Sequence, residues 1–271
     1  MSFFDKLKGE KKINLFLGDF IGRLIGYPTR AELCKILTKE MKEGVKSYIK
    51  HDSSLFQISQ AYLDAVVDSR TNLLNKLKGF YEYKKIRSDF YDTILNSGKI
   101  NSILTVNFDT SLEDFYSDRI SKVIPYMDEI QEKQERVPVY KVLGDFCNLE
   151  RVCVSNQDFR KLSVLPFYEK FWNKVREEMV QYPTVFLGTD LDDPDFLNVL
   201  TKIAHKNELN NMYMITSSSV LTPNVSEMLN TYGIKILKED EMQFLRELKG
   251  REQEFVETPE EEVVLEKKMY R

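Results

Sequence analysis

Short apolar runs alternate with amphipathic stretches along most of the chain. Between the runs, apolar residues recur at helical spacing, as in the stripe of Leu33, Leu37 and Met41. A capping box, Thr29 to Glu32, marks the start of that helix. Each run is short enough for a buried strand. The runs that predict strands lie at residues 13–17, 103–106, 123–124, 139–142, 152–154, 184–187, 212–215 and 234–237.

Strands that alternate with helices predict an α/β protein. The fold class expected here is Rossmann-like and doubly wound, with a mainly parallel sheet and a helical insertion. Residues 1–43 and 99–250 would form the Rossmann-like domain, because both segments carry strand signals. Residues 44–98 are helical throughout and read as the insertion, and residues 251–271 read as an acidic tail, flexible or bound to a partner.

A long amphipathic helix is predicted from Pro166 to Gln181, with Phe167, Phe171 and Val175 facing inward. The prolines at 194 and 223 suit the first turns of two later helices.

Composition excludes several classes of function. The net charge of −4 gives no general footprint for nucleic acid, so no nucleic-acid partner is expected. The three cysteines have no CxxC spacing, and we expect no metal site. No apolar run approaches the roughly 20 residues that span a bilayer, and no signal sequence opens the chain. A cytoplasmic protein without a membrane partner is the expectation.

Unusual chemistry follows three of the predicted strands. We predict a loop at each place: glycines recur in the loop Gly18 to Gly26, polar groups occupy Thr105 to Asp109, and carboxylates crowd Gly188 to Pro194. In a parallel sheet the carboxyl ends of the strands meet at one edge, where ligands bind. The sequence therefore predicts that Gly18, Asn107 and Gly188 lie in one crevice.

These stretches resemble motifs of the sirtuin-like family, in particular its bacterial branch without the zinc ribbon. The glycine-rich opening falls on Gly18 to Pro28, and the TTNYD motif on Thr105 to Asp109. The KLHGD motif falls on Lys141 to Asp145, and the loop ending in D-P-D-F on Gly188 to Phe196. A weaker fifth match is Tyr232 to Lys235, and the five occur in family order.

The resemblance implies a site for NAD or ADP-ribose in a family that cleaves the bond between nicotinamide and ribose. Candidate catalytic residues are Asn107, Asp109 and Asp145, although the two aspartates would equally serve as a helix cap and a turn anchor. The residues implied for cofactor binding are Gly18, Gly22, Arg23, Gly26, Thr105, Gly188, Thr189, Asp190 and Ser217.

Departures from the family pattern weigh against activity. The histidine of KLHGD is Leu143 here, and leucine has no proton acceptor. Phe20 replaces the second glycine of the opening, so its ring should point into the pyrophosphate position. Asp19 brings negative charge there unless it turns away or pairs with a cation such as Arg23. Gly22 and Asp190 stand where the family has serines.

Three functions remain open at this point. The first is a catalytically degenerate sirtuin-like protein that acts as a binding or interaction module, with an unidentified protein partner or as a homo-oligomer. The family resemblance would link it to bacterial defence against phage. The second is an NAD hydrolase that works without the histidine, and the third is a sensor of nucleotides of the ADP-ribose type. His51, His205 and the serine run 217–219 are further polar groups with weaker claims to a role.

Overall fold

A computed structural model describes residues 12–47, 49–65, 70–82, 87–126, 135–204, 211–217 and 221–249. Its strands are β1 (Ile13–Leu17), β2 (Ile100–Thr105), β3 (Ile120–Val123), β4 (Val137–Lys141), β5 (Thr184–Leu187), β6 (Met212–Ile215) and β7 (Lys235–Leu237).

The helices flank these strands in sequence. They are α1 (Asp19–Leu24), α2 (Arg30–Glu40), α3 (Glu43–Lys46), α4 (Leu55–Ala65), α5 (Arg70–Glu82), α6 (Asp89–Asn96), α7 (Ser111–Tyr116), α8 (Asn156–Val164), α9 (Glu169–Gln181), α10 (Pro194–Ile203), α11 (Pro223–Thr231) and α12 (Glu241–Lys249). A 3-10 turn, Pro166–Tyr168, leads into α9.

The seven strands form one sheet in the order β3-β4-β2-β1-β5-β6-β7, and every neighbouring pair is parallel. The predicted Rossmann-like α/β fold is therefore confirmed. After β2 the chain builds one half of the sheet, and it then returns to the other side of β1 to add β5. A crevice at the carboxyl ends of β1 and β5 is the usual ligand position in such a sheet.

Alternating side chains of the strands enter two separate apolar cores. In β1, Phe16 packs into the core that contains α2, α4, α5, α9 and α10. Leu15 and Leu17 pack on the opposite face, with α1, α6, α7 and α12. Because helices cover both faces of the sheet, every residue of β1 is buried and four of the five are apolar.

Three predictions about local structure are wrong. Residues 152–154 are not a strand, because Cys153 N donates to Leu143 O and Val154 N donates to the Asp158 carboxylate instead of to a ladder. The stretch Gly18 to Gly26 is not all loop, since α1 occupies most of it. Phe167 is 59% exposed, because the 3-10 turn rotates it off the inward stripe of α9.

Some predictions fall on residues outside the described ranges, namely the tail 251–271, His205 and the two serines at 218 and 219. The division into a Rossmann-like domain and an insertion at 44–98 stays a prediction. Within the described ranges, no helix is both long and apolar enough to cross a bilayer.

Candidate functional site

The loops that follow β1 and β5 touch each other through their backbones. A Cβ atom added to Gly18 would overlap with the carbonyl oxygen of Gly188 and with the Cα atom of Thr189. Gly188 itself has a φ of 64°, a conformation that favours glycine. Both glycines are therefore required by the contact between the two loops, and the space between the loops is filled by the protein itself.

Three backbone donors at the beginning of α1 are bonded to protein carbonyl groups. Gly18 N donates to Leu187 O at 3.0 Å, Phe20 N donates to Gly188 O at 3.2 Å, and Ile21 N donates to Gly18 O at 3.3 Å. In dinucleotide-binding sheets, free donors at this position bind the pyrophosphate.

Asn107 lies directly beneath this contact. Its Nδ2 donates to Gly18 O at 3.0 Å, and its backbone N donates to Thr105 Oγ1, which in turn donates to Leu17 O. The side-chain oxygen Oδ1 of Asn107 is buried and has no hydrogen-bond partner among the described residues. Gly18, Asn107 and Gly188 thus meet at the carboxyl edge of the sheet, as the sequence predicted.

The two candidate aspartates have structural partners. Asp109 Oδ1 accepts from Ser111 N at 3.0 Å, where α7 begins, so it caps that helix. Asp145 Oδ1 accepts from Cys147 N at 3.0 Å, and its Oδ2 pairs with Lys122 Nζ at 2.9 Å. Each carboxylate therefore performs the local role that the sequence offered as its alternative.

A buried lysine supports this part of the crevice. Lys141 Nζ donates to Asp109 O and lies 3.6 Å from the Glu113 carboxylate. Burial raises the pKa of Glu113, and the charge of Lys141 opposes that rise. Next along the chain, Leu143 is 1% exposed and packs in the apolar core. Position 143 therefore offers no proton acceptor, and its leucine side chain is part of the core.

An ion cluster closes the other side of the crevice. Arg30 is 6% exposed, with Nη2 3.1 Å from Asp195 Oδ2 and Nε 3.1 Å from Asp193 Oδ2. The guanidinium stacks between the rings of Phe56 and Phe108, whose centroids are 5.1 and 5.2 Å away. Desolvation by burial raises the pKa of Asp193 to about 6, and Arg30 opposes that rise.

Asp19 is tied to the same cluster. Its Oδ2 accepts from Arg30 N at 2.7 Å, so the carboxylate turns toward the first turn of α2, and Arg23 stays exposed. Burial raises the pKa of Asp19, Arg30 lowers it, and the charge of Asp190 raises it further. Carboxylates thus outnumber the one buried cation on this side of the crevice, which disfavours a phosphate there.

The remaining predicted residues are spread around the crevice. Thr189 Oγ1 contacts Met214 Sδ at 3.2 Å, and Asp190 Oδ1 accepts from Asp192 N at 3.0 Å. Gly22 is buried in α1, whereas Gly26 and Ser217 are exposed, as is His51. The side chain of Phe20 is 38% exposed, with its Cβ atom beside Gly188.

A pyrophosphate does not fit the residues present. The donors that would hold it are bonded to carbonyl groups, the two glycine loops are in contact, and the nearest charges are mostly negative. A cavity of about 360 Å³ does exist, but Arg119 and Val137 in its lining place it at the amino ends of β3 and β4. That is the opposite edge of the sheet.

Comparison with known families places the chain. A family model described as a SIR2-like domain matches residues 101–237, just over half of the chain. The chain belongs to the SIR2-like family. No curated protein matches the sequence.

The matched range of this SIR2-like protein contains Asn107, Leu143 and Gly188 but not Gly18. Gly18, after β1, contacts two residues of the matched range, Asn107 and Gly188. Sequence reasoning missed Arg30, Lys141 and Glu113. The signal that could have pointed to Arg30 is the acidic run 190–195, because four carboxylates within six residues after a buried strand call for a nearby cation.

Proposed function

We propose that this SIR2-like protein does not turn over NAD and acts as a binding or interaction module. One observation carries the proposal: where α1 begins, the backbone N–H groups of Gly18, Phe20 and Ile21 are bonded to the carbonyl groups of Leu187, Gly188 and Gly18. A nucleotide could occupy this position only if the two loops separated and these bonds broke. The leucine at 143 adds to the argument, since it offers no general base. Bacterial defence is the process proposed for it, on family resemblance alone.

The test combines calorimetry with an assay of turnover. Titration with NAD or ADP-ribose should give no heat of binding, and nicotinamide release over hours, followed by chromatography, should equal that of a heat-killed control. Leu143→His alone should stay inactive, because a general base is worth about 100 to 10,000-fold only when the substrate is positioned. Clear turnover by the unmodified protein would overturn the proposal.

A second candidate is hydrolysis of NAD without the histidine. The observation that favours it is Asn107 Oδ1, a buried acceptor without a hydrogen-bond partner in the described part of the chain. Such an atom ordinarily costs about 1–3 kcal/mol and calls for a reason. Turnover that is abolished by Asn107→Ala and kept by Asn198→Ala, an exposed asparagine on α10, would support this candidate. Binding of ADP-ribose without turnover would instead support a nucleotide sensor.

A further inference from the structure

Three apolar side chains point to solvent where α8 ends and α9 begins. Val164 is 71% exposed, Leu165 is 47% exposed and Phe167 is 59% exposed. Single exposed apolar residues are ordinary, whereas adjacent ones that form a patch mark surfaces that contact something. We call these three residues with Tyr168 the corner surface.

The corner surface is held in place by its neighbours. The ring of Phe167 meets that of Tyr168 at 5.1 Å, and Tyr168 meets Tyr126 at 5.3 Å. The backbone is fixed by two turn bonds, from Leu165 N to Lys161 O and from Tyr168 N to Leu165 O. A partner would meet a preorganised surface, so the surface itself loses little conformational entropy on docking.

The charges around the corner surface are mainly basic. Arg160, Lys161 and Lys170 are exposed beside it. The two nearest acids are already paired: Asp158 lies 3.0 Å from Arg70, and Glu169 lies 2.6 Å from Arg176 and 3.3 Å from Lys202. The hydrogen bond from Arg176 lowers the pKa of Glu169, so that carboxylate stays committed to its partners. The surface therefore suits an acidic segment with apolar anchors.

Residues 252–266 of the same chain have this chemistry. They contain seven glutamates and no lysine or arginine, together with the apolar run Val263 to Leu265. We propose that this segment docks on the corner surface of its own molecule. Val263 to Leu265 cover Phe167 and Leu165, and Glu260 to Glu262 lie near Lys161 and Lys170.

The length of chain after α12 permits this contact. Val263 is fourteen residues after Lys249, the last residue of α12, and the chain between them can span about 46–50 Å when extended. A domain of this length has a radius of gyration of about 18 Å, so the segment can reach any face. Attachment to the same chain gives the segment a millimolar effective concentration, which favours it over a second copy. The inference holds whether or not the crevice binds a nucleotide.

The experiment is zero-length cross-linking of the full chain with a carbodiimide, which joins a lysine amine to a carboxylate in contact with it. Mass spectrometry of the monomer should find links from Lys161 or Lys170 to Glu260–Glu262. Phe167→Ser should reduce their yield several-fold. Val180→Ser is the matched control, because Val180 is 61% exposed near the far end of α9, about 20 Å away, and it should leave the yield unchanged.

A second variant tests the contact from the other side. Replacing Val263, Val264 and Leu265 by serine should reduce the same links as Phe167→Ser does. Links found only in covalent dimers would assign the segment to a second copy and overturn the proposal. Links distributed equally over all exposed lysines, or unaffected by both variants, would also overturn it.

Discussion

Arg30 shows how a single residue can join distant parts of the chain. Its guanidinium lies between two aromatic rings, its backbone N donates to Asp19, and its side chain pairs with Asp193 and Asp195. Asp195 also accepts from Phe56 N at 2.9 Å, so α4 begins on the same cluster. The sequence placed Arg30 in the first turn of a helix, where arginine is ordinarily exposed. The carboxylates that pair with its side chain are about 165 residues away in the sequence.

Replacing Arg30 by methionine should lower the free energy of unfolding by about 3–5 kcal/mol, because two buried carboxylates lose their counter-ion. Denaturant unfolding measures the change. Arg23→Met, at an exposed arginine on α1, should stay within about 0.5 kcal/mol of the wild type. Adding Asp193→Asn and Asp195→Asn to Arg30→Met should recover part of the loss. A loss below 1 kcal/mol for Arg30→Met would contradict a stabilising role for the cluster.

Asp193 should make stability depend on pH. Its pKa is raised to about 6, so the folded protein binds a proton that the unfolded chain has released above pH 4. Its contribution to stability is therefore present at low pH and is lost as pH rises toward 6. Relative to Asp193→Asn, the wild type should lose about 1–3 kcal/mol between pH 4 and pH 7. Unfolding curves that keep a constant difference over this range would disprove the assignment.

At the scale of elements, the contact between the β1 and β5 loops depends on glycine. Gly18→Ala should destabilise the fold by more than about 2 kcal/mol, because the new methyl group meets the Gly188 backbone, which cannot move aside cheaply. Gly79→Ala is the matched control: nothing lies within 4 Å of its Cβ position inside α5. It should stabilise by about 0.5–1 kcal/mol. Thermal unfolding of both variants checks the pair, and equal effects would refute the contact.

Much of the element order could be predicted because local signals were strong. Buried parallel strands give short apolar runs, the Thr29 capping box begins α2, and the prolines at 194 and 223 begin α10 and α11. The strand predicted at residues 152–154 was wrong because a buried loop can be as apolar as a buried strand. Only the hydrogen bonds made in the folded protein distinguish the two. The inward orientation predicted for Phe167 was wrong because a 3-10 turn changes the helical phase without a distinct sequence signal.

The candidate site was predictable in position but not in state. Asn107, Gly18 and Gly188 follow strands, so the sheet rule brings them together. Whether the loops that carry them are open or closed depends on backbone contacts across the sheet. Nothing in the sequence around Gly18 indicates that it contacts the backbone of Gly188. The acidic residues of the loop 190–195 are evident in the sequence, whereas their counter-ion, Arg30, could be identified only from the structure.

At the scale of the whole molecule, the three cysteines differ in burial and therefore in reactivity. Cys147 is exposed, Cys34 is half-buried with its pKa raised to about 12 by burial, and Cys153 is buried in a core. Because the thiolate is the reactive form, iodoacetamide at neutral pH should label Cys147 first. Mass spectrometry should find Cys34 and Cys153 unlabelled until denaturant is added. Labelling of Cys153 in the folded protein would show that this core opens locally.

The position of β1 also has a consequence for synthesis on the ribosome. β1 is made first, yet its residue Phe16 aligns with Leu104 and Phe186, so its second partner emerges only when two thirds of the chain is complete. We predict that a nascent chain arrested before residue 184 keeps β1 open to protease and requires chaperone protection. Resistance to pulse proteolysis at that length would show that the first half of the sheet folds without β5. The contact that closes the crevice would then be among the last that the protein makes.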